Sequence, residues 1–242
     1  MGEIGFTMLI TETVKIYKEN FKKICLMAVL IFLPLSLVDE FVFSRFYKPD
    51  SQVMSDMLTI MSTQYILSLL GIIFTVFVVK LTFMTINSEQ NGFDEIFNES
   101  FGLWRHAIIT NLFFVLLIGC GLIFGIFPGI FFAFICAFYM QAIIAGKVSG
   151  MKAFRLSYLT VKSNMKYSVI FIIILLAVYL FYIFGIDFLE GYITLNNEIL
   201  TAFVNLVIDI VNHILLSFLT VMMTLFYSKN VRHTDTSPAQ VL

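Results

Sequence analysis

The sequence predicts an all-α integral membrane protein of six spans, and three observations carry that prediction. First, residues of the apolar set AVILMFWYC make up 60% of the 242 residues and charged residues only 13%. A water-soluble domain has about 45–50% apolar and about 25% charged residues. So little charge cannot cover an aqueous surface, and the apolar excess needs lipid to solvate it. Second, the apolar residues gather in six runs, 24–43, 65–86, 107–127, 130–146, 167–188 and 203–227. Each is near the ~20 residues that cross a hydrocarbon core. Third, Lys and Arg fall on one side. With the N-terminus inside, the inner segments carry twelve: Lys15, Lys18, Lys22, Lys23, Arg105, Lys147, Lys152, Arg155, Lys162, Lys166, Lys229 and Arg232. The outer segments carry Arg45 and Lys48, and Lys80 lies within a span. Cytoplasmic flanks hold the Lys/Arg excess, so both termini are expected in the cytoplasm, with the chain multi-pass in the plasma membrane.

Other classes drop out on composition. The formal net charge of −1 supplies no basic field for nucleic acid. Cys25, Cys120 and Cys136 stand alone in sequence, without ligand spacing, so no disulfide framework, metal or other cofactor is expected. Glu3 and Glu12 precede the first run and no cleavage site follows it, so a removable signal is not expected. Phe6 stands where myristoylation wants Ser or Thr.

Taken in order, the first element is amphipathic. Within 5–22, Phe6, Ile10, Val14, Tyr17 and Phe21 recur at helical spacing, with Lys15, Lys18 and Lys22 mostly off that stripe and Lys23 just beyond. This pattern predicts a helix lying in the membrane plane with basic residues at the headgroups. Residues 93–105 repeat it with Phe93, Ile96, Phe97, Phe101 and Trp104, after Asn91 as a candidate N-cap. Residues 151–163 do so with Phe154, Tyr158 and Val161, flanked by Lys152, Arg155, Lys162 and Lys166. Lys18-Glu19-Asn20-Phe21-Lys22 and Lys162-Ser163-Asn164-Met165-Lys166 share a Lys-x-Asn-apolar-Lys order. Each stretch leads into a pair of spans, which suggests three units of in-plane helix plus transmembrane hairpin. The whole of 1–227 is then one membrane domain, and the polar 228–242 is expected to be a disordered cytoplasmic tail.

Between spans three and four, Gly121, Gly125 and Gly129 are spaced to form a side-chain-free strip on a continuous helix. Pro128-Gly129 is expected to break that helix into a tight hairpin, in preference to a ligand-facing hinge.

Ile126-Phe127-Pro128-Gly129-Ile130, then a span, then Gly150 and Ala153-x-Arg155-x-Ser157 with Lys162, resembles a family of bacterial polytopic proteins. That family includes the membrane domain of some glycerophosphodiester phosphodiesterases and its stand-alone relatives. Tyr17-Lys18-Glu19-Asn20-Phe21 is similar to the family's opening. The resemblance implies a six-helix membrane module of accessory or immunity type, with the phosphodiesterase catalytic domain absent and no catalytic residue carried over.

Ionisable groups inside spans are costly, and function is the default hypothesis for them. Asp209 on span six has Asn205, Asn212 and His213 at i−4, i+3 and i+4, on one face. Lys80 on span two lies roughly 14 Å from the level of Asp209 at the helical rise per residue. Snorkelling to the headgroups is therefore preferred to pairing. The Asp209 face reads first as an interhelical hydrogen-bond patch, with Gln64, Asn111 and Gln141 as possible members, and second as a cavity lining with Asp209 and His213 as a proton relay. Asp94, Glu95 and Glu99 read as a solvated face. Hydrolase, zinc-protease and phosphate-loop motifs are missing from the sequence. The expected function is thus a non-enzymatic accessory or immunity-type protein. Its partners would be the lipid bilayer, another membrane protein or a membrane-active peptide. The alternative is a small transporter or permease subunit working through the Asp209 face.

Overall fold

The computed structural model describes residues 5–38, 54–89, 92–192 and 198–233. Every element among them is helical: α1 (Phe6–Val38), α2 (Met54–Ile86), α3 (Phe93–Ile123), α4 (Ile126–Ile135), α5 (Tyr139–Gly146), α6 (Met151–Ser163), α7 (Met165–Tyr192) and α8 (Glu198–His233). Six stretches are long and apolar enough to cross a membrane, the fourth being α4 and α5 together. This is a multi-pass, all-α membrane protein. In lipid, a helix satisfies its own backbone, so an apolar run has no cheaper way to cross.

The exposure pattern is that of a lipid-solvated molecule. Phe124, Phe127 and Phe181 are each more than four-fifths exposed, whereas Thr13, Ser100, Thr110, Ser157, Thr224 and Asn230 are fully buried. Small polar side chains let helices approach and bond their own helix backbone, as Thr13 Oγ1 does by donating to the Leu9 carbonyl at 2.8 Å.

Helices α1, α2 and α8 form the centre. Tyr17 donates its hydroxyl to the Ile214 carbonyl at 2.6 Å, tying α1 to α8. Ile24, Met27 and Ala28 of α1 share a buried cluster with Phe77 and Val78 of α2 and Val221 of α8. Helix α7 reaches α8 through side chains, with Phe171 stacked on Phe226 at 4.0 Å between centroids.

The amphipathic stretches are not built alike. Only 151–163 forms a helix separate from its span; 5–22 and 93–105 run unbroken into α1 and α3. At about 1.5 Å per residue, a 33-residue α1 is ~50 Å long and overreaches a hydrocarbon core. Its buried face is Leu9, Thr13, Asn20 and Ile24, while Phe6, Ile10 and Phe21 of the apolar stripe point outward. The stripe is therefore split, since Tyr17 packs against α8 while Phe6, Ile10 and Phe21 face outward. In α6 the buried face takes Phe154 and Val161 but leaves Tyr158 exposed. The two matched asparagines do act alike: Asn20 donates to Thr85 Oγ1 at 2.9 Å and Asn164 to Asn230 Oδ1 at 3.0 Å. Asn20 lies mid-helix, however, and Asn164 ends α6.

Three boundaries differ from expectation. Residues 228–233 complete α8, and the rest of the tail lies outside the described residues. Gly92, not Asn91, occupies the N-cap position of α3, and Asn91 is outside the described residues. The hairpin turns at Gly125, whose φ of 137° suits glycine, and Pro128-Gly129 lies inside α4. Proline is tolerated in a first helical turn, where its missing N–H had no partner to lose. Gly121 and Gly129 therefore face each other across the turn rather than along one helix. A Cβ on Gly121 would stand 2.8 Å from the Gly129 Cα.

Candidate functional site

Two ionisable side chains inside spans were the sequence's best candidates, and the fold sends them to different places. Lys80 Nζ lies 2.5 Å from Glu99 Oε2 on α3, so it is neither snorkelling alone nor paired with Asp209. Glu99, expected on a solvated face, supplies the charge that makes Lys80 tolerable near the bundle interior. A second pair joins Glu12 of α1 to Lys229 of α8 at 2.6 Å. Both pairs lie at the end of the bundle where α1 begins and α8 finishes, here called the basic end. The other basic side chains singled out there, Lys15, Lys18, Lys22, Lys152, Arg155, Lys162 and Lys166, are exposed, and Lys23 is half-buried.

Asp209 sits towards the opposite end, on α8. Ser36 of α1 donates a hydrogen bond to Asp209 Oδ2, and His213 Nε2 is 3.5 Å from Oδ1. The His213 ring stacks on Phe32, with centroids 3.4 Å apart and planes 2° from parallel, and Phe74 of α2 meets Phe32 edge-on. Gly71 makes room for this arrangement, since a Cβ there would already touch Phe32 at 3.3 Å. Together these residues line a cavity of about 410 Å³ between α1, α2 and α8, completed by Leu35, Ser68, Ile72 and Thr75. The Asp209 side chain is 44% exposed, so the carboxylate faces accessible space.

The polar face of α8 divides. Asn212 accepts a 2.6 Å hydrogen bond from Tyr182 of α7, and Asn205 is exposed. At 3.6 residues per turn, Asn205 and Asn212 fall about 40–60° to one side of Asp209 and His213 about 40° to the other. Four residues that share a broad face can thus serve two neighbours. Gln64 lies where side chains are not described. Asn111 accepts from Tyr139 at 2.8 Å, and Gln141 is buried with its Oε1 unpartnered among the described residues.

The fourth span holds a feature that the sequence reading missed. Its helix stops at Ile135 and restarts at Tyr139. Ser157 of α6, fully buried, bridges the gap: its hydroxyl donates to the Ile135 carbonyl at 2.9 Å and accepts from the Phe138 N–H at 3.0 Å. Irregular backbone at membrane depth survives where protein satisfies it. Ser36, Phe32 and Gly71 were missed as well. Ser36 carried a usable signal, a polar group inside an apolar run, and the other two are ordinary until the helices meet. Among the described residues there is no cluster of metal-ligating side chains. No family model, no curated protein and no solved structure matches this chain.

Proposed function

We propose that this protein is a non-enzymatic accessory or immunity-type component of a bacterial cytoplasmic membrane. In this reading it holds an amphipathic molecule in the cavity between α1, α2 and α8, with both termini in the cytoplasm. The observation that carries the reading is the cavity itself: about 410 Å³, walled by apolar and aromatic side chains, with Asp209, His213 and Ser36 converging on one side. Ligand sites have this make-up, apolar walls with a few placed polar groups.

Holding is favoured over passing. Between the cavity and the basic end, Val76, Phe77, Val78 and Val79 of α2 and Val221 of α8 are all buried to 1% exposure or less. Among the described residues, this apolar packing separates Asp209 from Lys80, which supports holding. The interruption in the fourth span has its backbone groups at Ile135 and Phe138 satisfied by Ser157, so they are not left to coordinate an ion. The Lys/Arg excess on one set of segments supports the orientation. The resemblance to phosphodiesterase membrane domains supports a module that works beside another protein.

The test is purification of the tagged full chain from native membrane, with co-purifying lipids, peptides and proteins identified together. Thr75→Leu, which fills the cavity, is purified in parallel. A molecule enriched with the wild type and lost with Thr75→Leu is the expected result. Identical recoveries overturn cavity binding, and substrate flux into vesicles that depends on Asp209 replaces it with transport. A phosphatase fused after Leu242 should be inactive in cells if the C-terminus is cytoplasmic.

A further inference from the structure

The reading above leaves the ligand's chemistry open, and the cavity's charge narrows it. Among the described residues, Asp209 is the only acid in the lining, His213 the only group able to carry positive charge, and no Lys or Arg is present. With Asp209 ionised, the net charge of this described lining is negative or zero in either state of His213. An anion finds no counter-charge there.

Resting on the ligand-holding reading, we propose that the cavity takes a lipophilic organic cation, with its charge at Asp209 and its apolar body against Phe32 and Phe74. The carboxylate accepts from Ser36 and lies beside His213. A carboxylate has about four lone-pair sites, so these two neighbours leave room for a further donor or a bare cation. Phe74 lies beside the Phe32–His213 stack, its ring steeply inclined to both, and all three rings line the cavity. An aromatic face attracts a cation, the more so away from water. A phospholipid headgroup fits this chemistry less well, because its phosphate would enter a lining whose described residues include no Lys or Arg. A small monocation without an attached anion matches both the acid and the apolar wall.

The experiment uses the full chain in a non-ionic detergent, titrated calorimetrically with tetraphenylphosphonium and with tetraphenylborate, ions of like shape and opposite charge. Trp104, the chain's one tryptophan, donates to the Leu69 carbonyl at 3.1 Å beside the Ser68–Gly71 wall, so its fluorescence gives a second readout. The expected result is saturable binding of the cation, none of the anion, and loss of cation binding in Thr75→Leu. Asp209→Asn should weaken the cation by about tenfold, the loss of one partly shielded charge interaction. Binding of both ions, or cation binding unchanged in Asp209→Asn but lost in Thr75→Leu, overturns the charge assignment and leaves an uncharged ligand. Binding of neither ion, or no effect of either variant, removes the cavity reading too. Displacement of the phosphonium by phosphatidylethanolamine but not by a single-chain amine assigns the site to a headgroup instead.

Discussion

The two ends of the bundle solve the same electrostatic problem differently. At the basic end, charges meet across helices: Lys80 with Glu99 at 2.5 Å, and Glu12 with Lys229 at 2.6 Å. At the opposite end Asp209 has a hydroxyl and an imidazole for company, and a cavity in front of it. Paired opposite charges largely cancel and hold helices in register, so that end is built to stay put. A carboxylate satisfied by a hydroxyl and an imidazole keeps its field and its space. The difference teaches where a ligand has something to bind and where the helices are merely fastened.

Ser157→Ala should be the most damaging. It leaves the Phe138 N–H and the Ile135 carbonyl buried without partners, at about 1–3 kcal/mol each. Thermal unfolding in detergent should show a clear loss, and an unchanged midpoint would mean that the interruption does not need its stitch. Next comes Gly121→Ala, which drives a Cβ into the Gly129 backbone. Overpacking of this kind costs about 1–3 kcal/mol. The hairpin should loosen, read as faster proteolysis at its exposed tip, whereas Gly119→Ala, with open space around it, should be neutral.

The fastening itself is sharpened by a double-mutant cycle on Lys80→Met and Glu99→Gln. Because Glu99 is 45% exposed, solvent screens the pair, and a coupling of about 1 kcal/mol is expected. A coupling near zero would make the basic end no better fastened than the Asp209 end. The smallest effect belongs to Lys15 and Glu19, an exposed pair 4.0 Å apart on one helix. Lys15→Ala should change stability by less than about 0.5 kcal/mol, within the error of most unfolding curves.

Much of this molecule was legible from residue order. The six spans followed from run lengths, because lipid imposes one length and one secondary structure on any apolar crossing. A hairpin between spans three and four was readable too, although it turns at Gly125 rather than Pro128-Gly129, and the meeting of Gly121 with Gly129 across it was not. Proline reads as a breaker when its position within a helix is unknown, and here it begins one. Asp209 stood out because an acid inside an apolar run is conspicuous. Its surroundings did not, since Ser36 is 173 residues away and Phe32 looks like any lipid-facing aromatic until His213 lies on it.

What the sequence determined alone was therefore whatever depends on one helix and its solvent: the number of spans and the cost of an isolated charge. The tertiary structure decided everything that depends on which helix lies opposite. It gave Glu99 to Lys80, Ser157 to the interrupted span, and a cavity to Asp209. The physical reason is that lipid tests each segment separately for hydrophobicity. A hydrogen bond or an ion pair between helices instead needs two side chains whose rotation and depth are set only by packing.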